Sequence, residues 1–266
     1  FDQDLSSWNV SNVTAMNGMF DNANAFNQDI SGWDVSNVTT MHTMFRNAHS
    51  FNQDLSGWNV SNVTNMFSMF RDAYDFNGSL AGWDVSNVTD MMHMFDDATS
   101  FNGDVSGWAL SSITTNRAKS MFNGATSFEG IGLETWDVSN LLNLGSMFSY
   151  TPSLNANLSS WDVSNVVYMN SLFYESGFNG DLSSWDLSSV TTMYNMFAHT
   201  LNFNQNIADW DVSGVNDMRW MFQGSHSFNQ DISAWNVSSI SANRFDDMFK
   251  DAEVLSGPNK CSIHNS

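Results

Sequence analysis

Acidic side chains recur at two fixed places in this chain, and their spacing is the first thing in it that could do chemistry. One row stands directly after tryptophan: Asp34, Asp84, Asp137, Asp162, Asp186 and Asp211, with Asn9, Asn59 and Asn236 in the same register and Ala109 at the remaining place. A second row, Asp4, Asp29 and Asp54, then Asp104, Asp181 and Asp231, lies two or three residues after a recurring Phe-Asn. On neighbouring strands about 5 Å apart, Asp137, Asp162, Asp186 and Asp211 would set like charges side by side, which is destabilising. Either their pKa values rise or a cation sits between them. Calcium takes about six to eight oxygens, and neighbouring Asp, Asn, Ser and carbonyl groups can supply them. The candidate calcium ligands are therefore Asp137, Asp162, Asp186 and Asp211, with Asp4, Asp29 and Asp54 as a second set. The competing reading is a solvated face, or Asx turns that start each strand.

Other reactive side chains offer less. Ser11, Ser36, Ser61, Ser86, Ser111, Ser139, Ser164, Ser188, Ser213 and Ser238 share one register, and no His–Asp pairing recurs with them. Ten equivalent nucleophiles make no catalytic sense, whereas a ladder of hydroxyls bonding backbone does. His42, His49, His93, His199, His226 and His264 show no two-ligand spacing for a transition metal. Asn-x-Ser/Thr occurs at Asn9, Asn12, Asn37, Asn59, Asn62, Asn77, Asn87, Asn157 and Asn236. As glycan acceptors these would mark a secreted protein; as turn residues copied from repeat to repeat they need no glycan. With no glycine-rich phosphate loop and no nucleophile elbow, the chain reads as a non-enzyme.

The elements that must position these rows follow from a repeat. Trp8, Trp33, Trp58, Trp83, Trp108, Trp136, Trp161, Trp185, Trp210 and Trp235 are spaced by 25 residues four times, then by 28, 25, 24, 25 and 25. In the second repeat the apolar positions are Phe26, Ile30, Trp33, Val35, Val38, Met41, Met44, Phe45 and Ala48. Trp33-x-Val35 has the two-residue period of a strand, Ser36-Asn37 reads as a turn, and Thr39 as the N-cap of one or two helical turns carrying Met41, Met44, Phe45 and Ala48. The tryptophans are then core rather than an outward sugar platform, and the methionines are core at helical spacing, soft enough to fill irregular gaps. Each unit has an apolar side too large to bury alone, which predicts stacking into a solenoid. Extra residues fall beside Asn116-Arg117, beside Asn243-Arg244 and between Phe128 and Leu133, never between Trp and Val. The expected sheet of ten strands would run about 48 Å. The expected fold class is an α/β repeat solenoid, a leucine-rich-repeat-like right-handed coil with one continuous parallel sheet and short helices opposite.

Composition bounds the partners. The 266 residues carry 28 acids against 8 Lys and Arg, a net charge of −20, yet 42% are hydrophobic. That composition permits a packed core rather than disorder, and the charge repels nucleic acid and anionic membrane. No apolar run reaches the roughly 18–20 residues of a membrane span, so no membrane insertion is expected, and the chain reads as a monomer. The single cysteine, Cys261, gives no disulfide framework. It lies in residues 254–266, which read as the start of a truncated next module after a ten-coil domain over 1–253.

The spacing L-x-x-W-x-V-x-x-V-x-x-M-x-x-M-F-x-x-A resembles a leucine-rich repeat with Trp in place of the central Leu. FNQDLSGWNVSNVTNMFSMF is similar to the roughly 26-residue repeat of the BspA-like bacterial surface proteins and lipoproteins. The resemblance covers about residues 1–253 and implies a right-handed solenoid, secretion, an extracellular or cell-surface location and an adhesion-associated role. FEGIGLETW and LNANLSSW, which replace FNQDLSGW in the sixth and seventh units, depart from it most. The expectation is an interaction module whose exposed sheet, through Asp34, Asp84, Asp137, Asp162, Asp186 and Asp211, binds a protein or glycan with calcium as the candidate cofactor. The alternatives are a structural spacer or stalk and, behind it, an ice- or mineral-binding array.

Overall fold

The computed structural model describes residues 1–113, 116–245, 247–252 and 254. The tail read as a truncated module, with Cys261 and His264, lies outside the described residues apart from Val254. The chain winds as stacked coils, and what joins one coil to the next is the Met-x-x-Met-Phe segment. In the second coil Met41, Thr43, Phe45 and Asn47 donate their amides to the carbonyls of Asn65, Phe67, Met69 and Arg71 in the third, at 2.8–2.9 Å. The amides between them turn inward instead: Met44 donates to Met41, Arg46 to Thr43 and Ala48 to Phe45. Every second amide is thus a coil-to-coil bond and every other one closes a tight turn.

This alternation requires an unusual backbone. Thr43 and Asn47 have φ of 55° and 56°, and the third coil repeats the pair at Ser68 and Asp72 with 51° and 57°. The same two registers are left-handed in coil after coil, ending at Asp247 and Asp251. Left-handed backbone costs a non-glycine residue about 1–2 kcal/mol, so it persists because the cross-coil bonds over-determine it.

The expected sheet and helices are therefore corrected. Among the described residues the only helical elements are two 3-10 turns, Leu133–Thr135 and Ala242–Arg244. Parallel pairing is confined to single-residue bridges running Ala15–Thr40–Asn65–Asp90 and Asn143–Tyr168–Thr192–Asp217. Met41, Met44, Phe45 and Ala48 are fully buried, but successive turns with a left-handed residue every fourth place put them inside, not an α-helix. Thr39 is no N-cap: its amide and hydroxyl both bond the Thr14 carbonyl of the previous coil. The Trp-x-Val segment does bury alternate residues, Trp33 and Val35. Its amides, however, bond three residues back, Trp33 to Ile30 and Val38 to Val35. It is an extended link between two turns, with no ladder to make a strand.

The core is built of aromatic columns. Phe45 lies flat on Phe51 of its own coil at 4.0 Å and on Phe70 of the next at 5.4 Å, while Phe51 stacks on Phe76 at 5.9 Å. Leu154 stands where a phenylalanine would complete the pair with Phe148. The tryptophans form a third column: Trp136 stacks on Trp161 at 6.3 Å and Trp161 on Trp185 at 6.5 Å. Buried indoles also donate backward, as Trp33 does to the Leu5 carbonyl, Trp83 to Leu55 and Trp161 to Leu133, at 3.2, 2.9 and 2.8 Å. That bond, closed to leucine, is why Trp holds this position. The extra residue before Leu133 is absorbed by Gly132 at φ 93°, where a Cβ would stand 2.2 Å from the Ser106 nitrogen.

Two stability outcomes follow. Phe95, packed between Phe70, Phe101, Trp108 and Phe122, should lose about 3–5 kcal/mol on replacement by alanine, read from urea unfolding. Thr43→Gly should instead stabilise by about 0.5–1 kcal/mol, the relief of left-handed strain less the added flexibility of the unfolded chain. Gly18 already occupies that register at φ 61°. A fall in the urea midpoint would show that Thr43 is not strained.

Candidate interaction surface

Both acidic rows are turn residues. Asp162 accepts the Ser164 amide at 3.1 Å and its hydroxyl at 2.6 Å on one oxygen, Oδ1. Asp34 with Ser36 and Asp137 with Ser139 do the same. Asp84, Asp186 and Asp211 accept the amides of Ser86, Ser188 and Ser213 at 3.0 Å. In the second row Asp4, Asp29 and Asp54 accept those of Ser6, Ser31 and Ser56 at 2.8–2.9 Å. Since one acceptor oxygen suffices, asparagine serves equally, as Asn59 does with Ser61. The mixture of Asp and Asn along the chain has this cause.

The expected rise in carboxyl pKa is reversed. The Ser164 hydroxyl and amide hold Asp162 below the ordinary carboxylate value, and serines do the same for Asp34, Asp84, Asp137 and Asp211. In the second row the serine amides lower Asp4, Asp29 and Asp54. No set of three or more His, Cys, Asp or Glu able to hold a metal converges among the described residues.

The asparagines of the Ser-Asn turn have a role that the glycan reading missed. Asn37, Asn62 and Asn87 donate their side-chain nitrogens to the carbonyls of Ser11, Ser36 and Ser61 in the preceding coil at 2.8 Å. The atom a glycan would occupy is already the coil-to-coil donor. A further ladder escaped the sequence altogether: Asn27 and Asn52 each accept the amide of the equivalent asparagine one coil on, at 2.9 and 2.8 Å. Its only signal was the constancy of Phe-Asn.

Where the coils differ is the Met-x-x-Met-Phe turn segment. Arg46, Arg71, Arg117, Lys119, Arg219, Arg244 and Lys250, every described Lys or Arg, lie in it, whereas the Asx rows carry acids alone. Several of these cations pair with buried acids: Arg117 with Asp90 and Arg244 with Asp217, both at 2.6 Å, and Arg219 with Asp217 at 2.7 Å. Burial alone would raise the Asp217 pKa, and the bonds and charge of Arg219 and Arg244 outweigh it and hold the group low. Asp97 goes the other way, raised first by burial and then by Asp96 and Asp72.

Coils three and four gather charge: His93 Nδ1 lies 2.7 Å from Asp96, which is also 3.6 Å from Arg71. Coils six to nine gather aromatics instead. Tyr150 meets Tyr174 edge-on at 5.1 Å, Tyr174 meets the His199 ring at 5.9 Å, and Tyr194 meets Trp220 at 5.2 Å. The Arg219 guanidinium lies over both Tyr194 and Trp220, at 5.3 and 5.6 Å. In the sequence none of these residues has a place on a binding surface: His93 and His199 are weighed there only as metal ligands, and Trp220 is the one tryptophan outside the register.

A family model described as "Mycoplasma protein of unknown function, DUF285" matches residues 1–108, 30–130, 98–193 and 175–261. The chain belongs to this family. The DUF285 repeat thus accounts for the coils, while the family's description leaves the function open. No curated protein matches the chain. Among solved structures it is similar to an LRR protein of Leptospira interrogans, at 8% identity over 88% of this chain and 69% of that one, with a TM-score of 0.21. It is similar also to TLR13 in an ssRNA13 complex, at 10% identity over 87% of this chain, spanning 45% of that one, again at 0.21. Likeness at that score supports neither a fold nor a ligand for this DUF285 chain. No described helix is long and apolar enough to cross a membrane.

The serine–aspartate turns give a pH signature. A carboxylate held low when folded binds fewer protons than its unfolded counterpart, so its contribution is complete above the unfolded pKa of about 3.9 and is lost as pH falls through the folded value. Replacing Ser164 by alanine should move the Asp162 midpoint upward in a carboxyl-carbon NMR titration. An unmoved midpoint would show that the hydroxyl does not hold the carboxylate.

Proposed function

We propose that this repeat protein is a non-enzymatic interaction module of the adhesion type, displayed outside the cell and binding a protein or glycan at a cell surface or matrix. The observation that carries the reading is the division of labour within each coil. Aromatic columns, Asx turns and asparagine ladders recur almost unchanged, whereas one register of the turn segment changes chemistry from coil to coil: His42, Phe67, Met92, Lys119, Gly145, Asn170, Tyr194, Arg219. A spacer has no use for such variety, since any soluble residue would serve. A rigid stack with a changing edge presents an extended surface of the kind repeat proteins use for binding. The BspA-like resemblance of FNQDLSGWNVSNVTNMFSMF supports the surface location and the adhesion role, and the acidity supports partners other than nucleic acid. Calcium enters this reading only as an aid to binding at the Asx rows.

The test is saturable binding to arrays of matrix proteins and of glycans, run with calcium and again with chelator. Binding to at least one partner class is expected, and calcium dependence would credit the Asx rows. A chain that binds nothing on either array is a spacer, and the interaction reading fails.

A further inference from the structure

The aromatic cluster of coils six to nine is out of character with the rest of the surface. Four of the chain's five tyrosines lie in this stretch: Tyr150, Tyr174 and Tyr194 in turn segments together with Trp220, and Tyr168 at the bridge between coils. The corresponding places in other coils hold Thr40, Asn65, Asn17, Ser68 or Asn22. Tyr150 and Tyr168 are 44% and 42% exposed, and Leu201 is 52% exposed nearby. The core does not need these rings: the columns beneath are complete in Trp161, Phe173, Trp185, Phe197 and Phe222. Tyr, Trp and Arg are also the types that dominate binding energy at protein interfaces.

We infer that this aromatic strip is a docking surface for a cationic, Lys/Arg-bearing segment of a partner protein; the inference rests on the interaction reading above and names its partner class. Charge complementarity selects the occupant. The chain carries −20, which opposes a second copy of itself and favours a basic partner. The same coils hold Asp137, Asp162, Asp186 and Asp211 without the asparagine that interrupts the row earlier. An open groove beside the strip is lined by Glu175, His199, Leu201 and Pro152, and the Glu175 carboxylate is exposed there. Burial first, and then hydrogen bonding to Glu175 and Tyr150, raises the Tyr174 phenol pKa, so this ring stays neutral. Arg219 already lies over Tyr194 and Trp220, within the roughly 6 Å at which a ring attracts a cation, so the exposed rings of Tyr150 and Tyr168 are the ones left for a partner's cation.

The experiment is an anisotropy titration of a fluorescein-labelled Arg-Gly repeat peptide against the whole chain. The decisive variant combines Tyr150→Asn and Tyr168→Thr, each the residue that another coil carries in that register (Asn47, Thr192). Saturable binding by the wild type, weakened about tenfold in a variant of unchanged melting temperature, supports the strip. Equal affinity in the variant overturns it, as does peptide binding that disappears only when Asp137, Asp162, Asp186 and Asp211 become Asn. Glycan-array binding lost in the variant while peptide binding is unchanged overturns the basic partner but leaves the interaction module standing. Binding to neither peptide nor array removes both. Should the double variant melt early, Tyr168→Thr alone, at a half-exposed ring, decides by the same readout with a smaller change.

Discussion

Everything in this molecule depends on alternate amides in the Met-x-x-Met-Phe segment pointing along the stack. A helix would direct each N–H to its own fourth-preceding carbonyl and leave nothing to join one coil to the next. Here Met41, Thr43, Phe45 and Asn47 give their protons to the following coil, and the residues between close turns. The left-handed conformation at Thr43 and Asn47 is what makes the alternation geometrically possible. Strain at two residues per coil is offset because backbone groups buried in the stack are satisfied, where an unmade bond would cost about 1–3 kcal/mol. The arrangement is self-propagating: each coil presents to the next the amides that its predecessor presented to it.

The side chains reinforce the same axis by different chemistry. The indole N–H, the Asn37-type amide, the Thr39-type hydroxyl and the Asn27-type carbonyl all make their bond one coil away. The ring columns run the same way. Shearing one coil against its neighbour would therefore break backbone bonds, polar ladders and stacked faces together. Such a scaffold is stiff by construction, and its turn segment can vary without touching any of these bonds.

That separation explains what was legible in the sequence. The register, the unit length and the identity of the buried residues all come from hydrophobic spacing, and Phe26, Trp33, Val38 and Met44 are buried as their positions suggest. The conformation joining them was not legible. Met41, Met44, Phe45 and Ala48 fit a helical face, and tandem turns with a left-handed residue every fourth place bury the same set. Nothing in Thr43, Ser68 or Ser120 announces positive φ, because the cross-coil bonds impose it. The acidic rows misled for a related reason: Asp beside Asp suggested repulsion or a cation only while the partner serine two residues on was read as a separate ladder. The aromatic strip was hidden because tyrosines scattered over coils six to nine converge only after stacking sets their registers.

The two places where the chain lengthens its turn show the same logic at larger scale. Arg117 and Arg244 each sit in a coil with extra residues, and each reaches a buried aspartate of the preceding coil, Asp90 or Asp217, at 2.6 Å. The bridging register is otherwise filled by Thr40, Asn65, Asn143, Tyr168 and Thr192, side chains that leave no net charge to be matched. An aspartate there, largely removed from water, needs a cation at its shoulder, and the following coil supplies it from the bridging register itself. Acid and base recur together, at 90 with 117 and again at 217 with 244, separated by the same 127 residues. The matching interval points to a longer unit of five coils copied whole. On that view the aromatic strip is a difference between the two copies: where the first has Thr40, Phe67 and His93, the second has Tyr168, Tyr194 and Trp220, over cores that are nearly the same.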